Sequence, residues 1–190
     1  MLLMLVGLAL FLGAHVFTTR RLARAAMIGR IGEGAYKALY SLASLAGLVL
    51  AAYGFGAWRA AGSAVLWEPP AGMRHLALLL MLFACIAVVA AYVPSHIKAK
   101  LKHPMLVGVK VWALAHLLAN GDLASMTLFV LVLAWAVYDR IAVKRRGVAL
   151  PAAPVGWGGD VVAVAGGLVL YAALAVLFHP YVVGVPVLPS

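Results

Sequence analysis

Residues 103–122 read HPMLVGVKVWALAHLLANGD, the most informative stretch of the chain. Pro104 suits the first turn of a helix, and the apolar run behind it is long enough to enter a lipid bilayer. The Asn-Gly-Asp turn that ends the stretch is too short for anything but an antiparallel helical hairpin with the next apolar run. We therefore predict two consecutive membrane helices, at residues 104–120 and 122–142.

Apolar runs of similar length recur outside this hairpin. Of the 190 residues, 66% are hydrophobic and only 11% are charged, which is typical of an integral membrane protein. The connecting segments are too short to bury a core of their own, so we predict one transmembrane domain over residues 1–190. Its fold class is all-α, a bundle of six transmembrane helices. The predicted spans are residues 1–18, 37–58, 74–94, 104–120, 122–142 and 159–180.

The formal net charge of +10 comes from basic residues that cluster in three connecting segments. These segments follow the first, third and fifth spans, so all three lie on one side of the membrane. The positive-inside rule then predicts basic loops in the cytoplasm and both termini outside it. This placement indicates a lipid bilayer as the partner, not a nucleic acid. The clustered residues are Arg20, Arg21, Arg24, Arg30, Lys37, Lys98, Lys100, Lys102, Arg140, Lys144, Arg145 and Arg146.

Cys85 is the only cysteine and lies within a predicted span. A single cysteine excludes an intramolecular disulfide, a CxxC redox pair and a CxxCH covalent haem attachment. Metal chemistry must therefore depend mainly on the six histidines. Three of them, His75, His96 and His179, fall at predicted membrane edges or in a basic loop, where an imidazole is easily accommodated, and we interpret them as incidental.

The other three histidines are candidate functional residues. His15 lies within the apolar run of the first span, where an imidazole needs a hydrogen-bond partner or a metal. His116 shares a helical stripe with Trp112 and Asn120, so an aromatic ring and an amide flank it at one-turn spacing. His103 directly precedes a proline at the start of its helix, and both a structural and a functional role remain open for it.

Small residues at four-residue spacing occur in the second and sixth spans. Such residues let helix backbones approach closely, so we predict that they form packing faces. They are Ala43, Gly47 and Ala51, and Gly159, Ala163 and Gly167.

Four motifs carry a resemblance to a known family: AHVFTTRRL from residue 14, GAYKALYSLASL from residue 34, LWEPP from residue 66, and the stretch from residue 103. On these motifs the chain resembles the NnrU family, whose relatives include the zeta-carotene isomerase of plants and cyanobacteria. In those relatives a b-type haem lies in the membrane between two histidines, which correspond here to His15 and His116. The resemblance therefore implies haem b with these two histidines as metal ligands. The relatives carry a cysteine three residues before the second ligand, where this chain has Ala113.

The depth of the candidate ligands leaves two pairings open. His15 lies near the cytoplasmic end of its predicted span. His116 lies about 12 residues from the cytoplasmic end of the fourth span, which is roughly 18 Å along the helix axis. Either the first span extends further, or His15 pairs with His103. Lys110 either snorkels toward the surface or pairs with an acidic group of the cofactor, such as a haem propionate.

NnrU proteins are associated with nitrite and nitric oxide reduction in denitrifying bacteria. The resemblance thus implies a haem-binding protein of the bacterial inner membrane, with isomerase-like chemistry on an apolar isoprenoid substrate and Trp112 in the pocket. The alternative is a non-enzymatic accessory or assembly factor that works with the proteins of nitric oxide metabolism. A proton-coupled transporter is disfavoured because the carboxylates lie at span ends. No catalytic residue is assigned.

Overall fold

A computed structural model describes residues 1–147 and 151–188. These residues are predominantly helical, and the only β-pairing among them is an isolated bridge between Val65 and Asp122. The predicted all-α class is confirmed. The helices are α1 (Leu2–Thr19), α2 (Arg21–Ile31), α3 (Glu33–Ala60), α4 (Ala71–Ala90), α5 (His96–Leu101), α6 (Pro104–Ala119), α7 (Leu123–Arg145) and α8 (Gly158–Ala173), which continues as a π-helical segment, Leu174–Val183.

Five of the described helical stretches have the length and hydropathy of a membrane span. They are α1, α3, α4, α7, and α8 together with the π-helical segment. The remaining predicted span, α6, is apolar and lies where we expected it, but it has 16 residues. At 1.5 Å per residue it extends about 24 Å, less than the roughly 30 Å of a hydrocarbon core. The protein is thus a multi-pass helical membrane protein with five membrane-length helices and one shorter apolar helix.

The helices group into two compact units. The first unit comprises Met1–Trp67 and Gly121–Ala142, and the second comprises Glu68–Asn120 and the described residues from Val143 onward. Each unit is therefore built from two separate stretches of the sequence.

In the first unit, α1 and α3 pack along a seam of small residues. A Cβ atom placed on Gly47 would lie 2.6 Å from the backbone nitrogen of Phe11, and one on Gly7 would overlap the backbone of Ala51. Gly54 meets the backbone of Met4 in the same way. The predicted packing role of Gly47 and Ala51 is confirmed, because only residues without large side chains allow this approach.

The start of α7 is fixed to the loop that follows α3. Leu66 donates its backbone N–H to the carbonyl of Gly121 at 2.8 Å, and Gly121 lies so close to the carbonyl of Trp67 that a side chain would overlap it. Asp122 then caps α7, accepting from the backbone N–H of Ser125 at 3.1 Å and from its hydroxyl at 2.6 Å. These two bonds fix the start of α7 directly after the predicted Asn-Gly-Asp turn.

In the second unit, α4 packs against both α6 and α8. On the α6 side, a Cβ atom on Gly108 would lie 2.8 Å from the Val88 side chain. On the α8 side, one on Gly167 would lie 2.6 Å from Cα of Ile86, and Ala163 is fully buried. Gly159 abuts the carbonyl of Pro94. The predicted packing face of the last span is therefore confirmed.

The short helix α5 is attached to α8 by one buried carboxylate. Asp160, in the first turn of α8, accepts from the backbone N–H of Ile97 at 2.9 Å and from that of His96 at 3.2 Å. The Nδ1 atom of His96 lies 2.7 Å from the same carboxylate, and Trp157 stacks on the imidazole with 4.3 Å between ring centroids. His96 is thus a structural anchor of the second unit, whereas the sequence interpretation left it as an incidental loop residue.

Candidate functional site

Three partly buried histidines share one local geometry. In each, the Nδ1 atom lies within hydrogen-bond distance of a backbone carbonyl one helical turn earlier, and a carbonyl can only accept. A neutral ring held in this way donates through Nδ1 and carries its lone pair on Nε2. Metal-ligating histidines in proteins are oriented by the same kind of bond. The pairs are His15 with Phe11 at 2.7 Å, His116 with Trp112 at 2.8 Å, and His179 with Leu174 at 2.8 Å.

Two of these histidines, His116 and His179, lie next to each other in the second unit. Their ring centroids are 6.1 Å apart and their planes differ by 21°. Two imidazoles that bind one metal through bonds of about 2 Å have centroids roughly 6 Å apart, so the spacing suits a shared metal. Aromatic rings flank the pair: Trp112 lies 5.1 Å from His116, and Phe178 lies 5.9 Å from His179.

His179, which the sequence analysis interprets as an incidental residue of the membrane edge, belongs to the π-helical segment that continues α8. The structure places it beside His116. The available signal was hydropathy, because the apolar run continues beyond His179 to Val183. An imidazole flanked by apolar residues on both sides calls for a partner.

The described part of the chain contains no group of three or more histidine, cysteine, aspartate or glutamate side chains that could hold a metal ion. Two imidazoles alone make a weak site for a bare ion, since protein sites for zinc usually supply three or four ligands. Haem iron, in contrast, takes one or two ligands from the protein, and histidine is a common one.

His15 lies in the first unit, among aromatic rings. Phe11, Tyr40 and Trp135 have ring centroids 4.3, 5.4 and 5.3 Å from it, and Trp135 presents its edge. A partly buried imidazole at this position needs a hydrogen-bond partner or a metal. The backbone carbonyl of Phe11 provides the hydrogen-bond partner, so burial alone does not require a metal at His15.

The NnrU protein family model matches residues 3–187. The chain belongs to the NnrU family. Its match extends over both units, so the family resemblance read from four motifs is confirmed for almost the whole chain. No curated protein and no solved structure matches the chain.

In this NnrU protein, α6 carries three further residues that the sequence singled out. His103 is the N-cap of α6, 13 residues before His116, and this places them roughly 20 Å apart along the axis. The structure therefore does not bring His103 and His116 to one metal. Lys110 is partly buried about 9 Å along the same axis from His116, and Trp112 lies against the His116 ring as its one-turn spacing predicted.

Proposed function

We propose that this NnrU protein binds haem b within the membrane and that His116 and His179 would hold its iron. The observation that carries the proposal is the near-parallel pair of rings 6.1 Å apart, each with Nδ1 tied to its own backbone. The tie fixes the tautomer that leaves Nε2 able to bind iron, and it restrains the ring before the metal arrives. Restraint of this kind lowers the entropy that binding must overcome.

The surroundings of the pair support the same ligand. Trp112 and Phe178 place aromatic rings beside the two histidines. Lys110 is the residue we propose for a propionate, because a cation pairs with a carboxylate by a charge-assisted hydrogen bond. If both histidines bound its iron at once, the haem would supply one-electron transfer.

The family resemblance gives His15 as an alternative partner of His116. His15 has the same Nδ1 tie, and Tyr40 and Trp135 stand beside it as Trp112 does beside His116. We keep His15 with His116, and His15 with His103, as the competing ligand sets that experiment must separate.

We propose that the haem-bound protein takes part in nitrite and nitric oxide reduction. It would do so at the bacterial inner membrane, with both termini outside the cytoplasm. Two axial histidines favour electron transfer over an isomerase acting on an isoprenoid, which would need a ligand to leave the iron. An accessory factor for nitric oxide metabolism needs no haem. These three roles differ in whether haem is bound and in whether the iron exposes an open position.

Optical spectra of the detergent-purified protein, oxidised and reduced, test the proposal. Expression with excess haem should give a b-type spectrum, and His116→Ala and His179→Ala should each lose or shift its Soret band. His15→Ala and His103→Ala should leave the band unchanged. His75→Ala is the matched control, because His75 is exposed in the same unit.

Each other outcome has a definite meaning. A band lost in His15→Ala and His116→Ala but kept in His179→Ala would refute our ligand pair and support the one implied by the family. A colourless parent after haem-replete expression would refute haem binding and favour the accessory role. Carbon monoxide that shifts the reduced spectrum of the parent would show an open iron position and refute bis-histidine ligation.

A further inference from the structure

The first unit contains a cavity of about 230 Å³ where α1, α2 and α3 meet. Ala14 and Phe17 line it from α1, Met27 lines it from α2, and Tyr36 and Tyr40 are among the residues that line it from α3. The rest of the lining is aliphatic. An apolar lining of this kind suits a segment of hydrocarbon chain.

One polar group in the lining has no partner. Tyr36 is 5% exposed, and its hydroxyl makes no hydrogen bond within the described residues. A buried tyrosine hydroxyl usually finds an acceptor, and leaving one unpaired is unfavourable. The hydroxyl of Ser44, one residue beyond the cavity-lining Ala43, is unpaired as well. Because this oxygen has almost no exposed surface, an acceptor from a bound molecule would satisfy it once the side chains around the hydroxyl move aside.

A cation lies directly above this tyrosine. The guanidinium carbon of Arg24 is 5.6 Å from the centroid of the Tyr36 ring. Arg24 belongs to α2, which joins the end of α1 to the start of α3 and carries three arginines in eleven residues. Because α1 and α3 are membrane-length helices, α2 connects them at the level where lipid headgroups lie. Glu33, at the start of α3, is paired with Lys37 at 2.9 Å.

We propose that the first unit binds one anionic glycerophospholipid at this cavity. One acyl chain occupies the cavity, an ester oxygen accepts from the Tyr36 hydroxyl, and the phosphate lies against Arg24. The acyl chain, ester and phosphate follow one another along the lipid, and the apolar lining, the hydroxyl donor and the guanidinium follow one another in the same order in the protein. Arginine is well suited to the phosphate because its planar fork matches two phosphate oxygens.

The test uses the full chain, purified in detergent and stripped of lipid by exchange. Palmitoyl-oleoyl phosphatidylglycerol is added, and bound lipid is counted by native mass spectrometry while thermal unfolding is followed by circular dichroism. We expect one tightly bound phosphatidylglycerol per chain. Phosphatidylcholine with the same acyl chains should bind about tenfold more weakly, since it carries no net charge to complement Arg24.

Two conservative variants separate the contributions. Tyr36→Phe removes only the hydroxyl, and Arg24→Gln removes only the charge; each should weaken phosphatidylglycerol binding about tenfold. Tyr53→Phe on α3 and Arg30→Gln on α2 are matched controls at exposed positions and should bind like the parent. A cooperative melting curve without added lipid shows that each variant is folded. Arg24 is exposed, so Arg24→Gln tests the proposal even if Tyr36→Phe is unstable.

Four results would overturn the proposal. The first is equal affinity for phosphatidylglycerol and phosphatidylcholine, and the second is unchanged lipid binding in both Tyr36→Phe and Arg24→Gln. The third is stabilisation by inorganic phosphate alone that equals the stabilisation by the lipid. The fourth is a co-purified isoprenoid that phosphatidylglycerol does not displace from the site. The Soret band plays no part in this test, so its outcome is independent of the haem proposal.

Discussion

Replacing Gly47 by alanine should destabilise the protein, although alanine is the better helix former. Gly47 faces α1, and a Cβ atom added there would lie 2.6 Å from the nitrogen of Phe11 and 2.9 Å from the carbonyl oxygen of Gly7. Both neighbours are backbone atoms of a helix, so no side chain can rotate away. The two helices must separate.

The size of the effect follows from the contact distances. Ordinary van der Waals contact begins at 3.4 Å, so the helices must move apart locally by roughly 1 Å. A gap of that size forfeits about a quarter to a half of the attraction between facing atoms. Overpacking of this kind typically costs about 1–3 kcal/mol, and this outweighs the gain of up to about 1 kcal/mol in helix propensity.

Gly56→Ala is the matched control for Gly47→Ala. Gly56 lies on the same helix, α3, and a Cβ atom there would meet none of the described residues within 4 Å. Only the propensity gain applies, so this variant should be as stable as the parent or more stable by up to about 1 kcal/mol. Unfolding by increasing mole fractions of dodecyl sulfate in mixed micelles, followed by circular dichroism, gives both free energies. A Gly47→Ala protein as stable as the Gly56→Ala protein would show that the two helices do not touch at the backbone and would refute the seam.

Three further predictions concern polar groups and a tight turn. Asp160→Asn should lower the melting temperature in detergent, because the carboxylate that holds the start of α5 loses its charge. Glu68→Gln is the control, since Glu68 is exposed in the same unit, and it should leave the melting temperature unchanged. Burial by itself would raise the pKa of Asp122, but hydrogen bonds from the neighbouring serine outweigh it and hold the pKa below its ordinary 3.8. The stabilisation from that carboxylate is therefore complete above about pH 4 and is lost as the pH falls through the lowered pKa. The melting temperature of Asp122→Asn should thus fall less on acidification than that of the parent. An equal fall in parent and variant would contradict the prediction. Gly121→Ala should lower the melting temperature because its side chain would overlap the carbonyl of Trp67; a variant that melts with the parent would show that this turn has room to spare.

Hydropathy was sufficient to locate all six apolar helices. The first span was expected at residues 1–18 and is found at Leu2–Thr19, and the fourth was expected at residues 104–120 and is found at Pro104–Ala119. These helices follow from composition alone, since an apolar run in lipid must satisfy its backbone internally. The helix α2 was not predicted because its eleven residues include three arginines, so it has no apolar run of membrane length.

The candidate site was predictable only where it depends on local geometry. Trp112 and His116 are four residues apart on one helix, and the spacing alone places their rings together. His179 approaches His116 only because α6 and α8 pack on the same helix, α4, and because the final segment is π-helical. No periodicity in the sequence shows that packing. The Nδ1 bond of His15 to Phe11 follows from a four-residue spacing and could have been predicted.

The order of synthesis bears on when the His116 and His179 rings can meet. The ribosome adds about 5–20 residues per second, so His179 follows His116 by several seconds. During that interval α7, which belongs largely to the first unit, is inserted before the second unit is complete. Until its last helix enters the membrane, a nascent chain therefore carries His116 without the neighbouring ring of His179. Haem loading at the proposed His116–His179 pair would consequently be a late event in biogenesis, and a chain that stops before Leu174 would insert its earlier helices but lack His179.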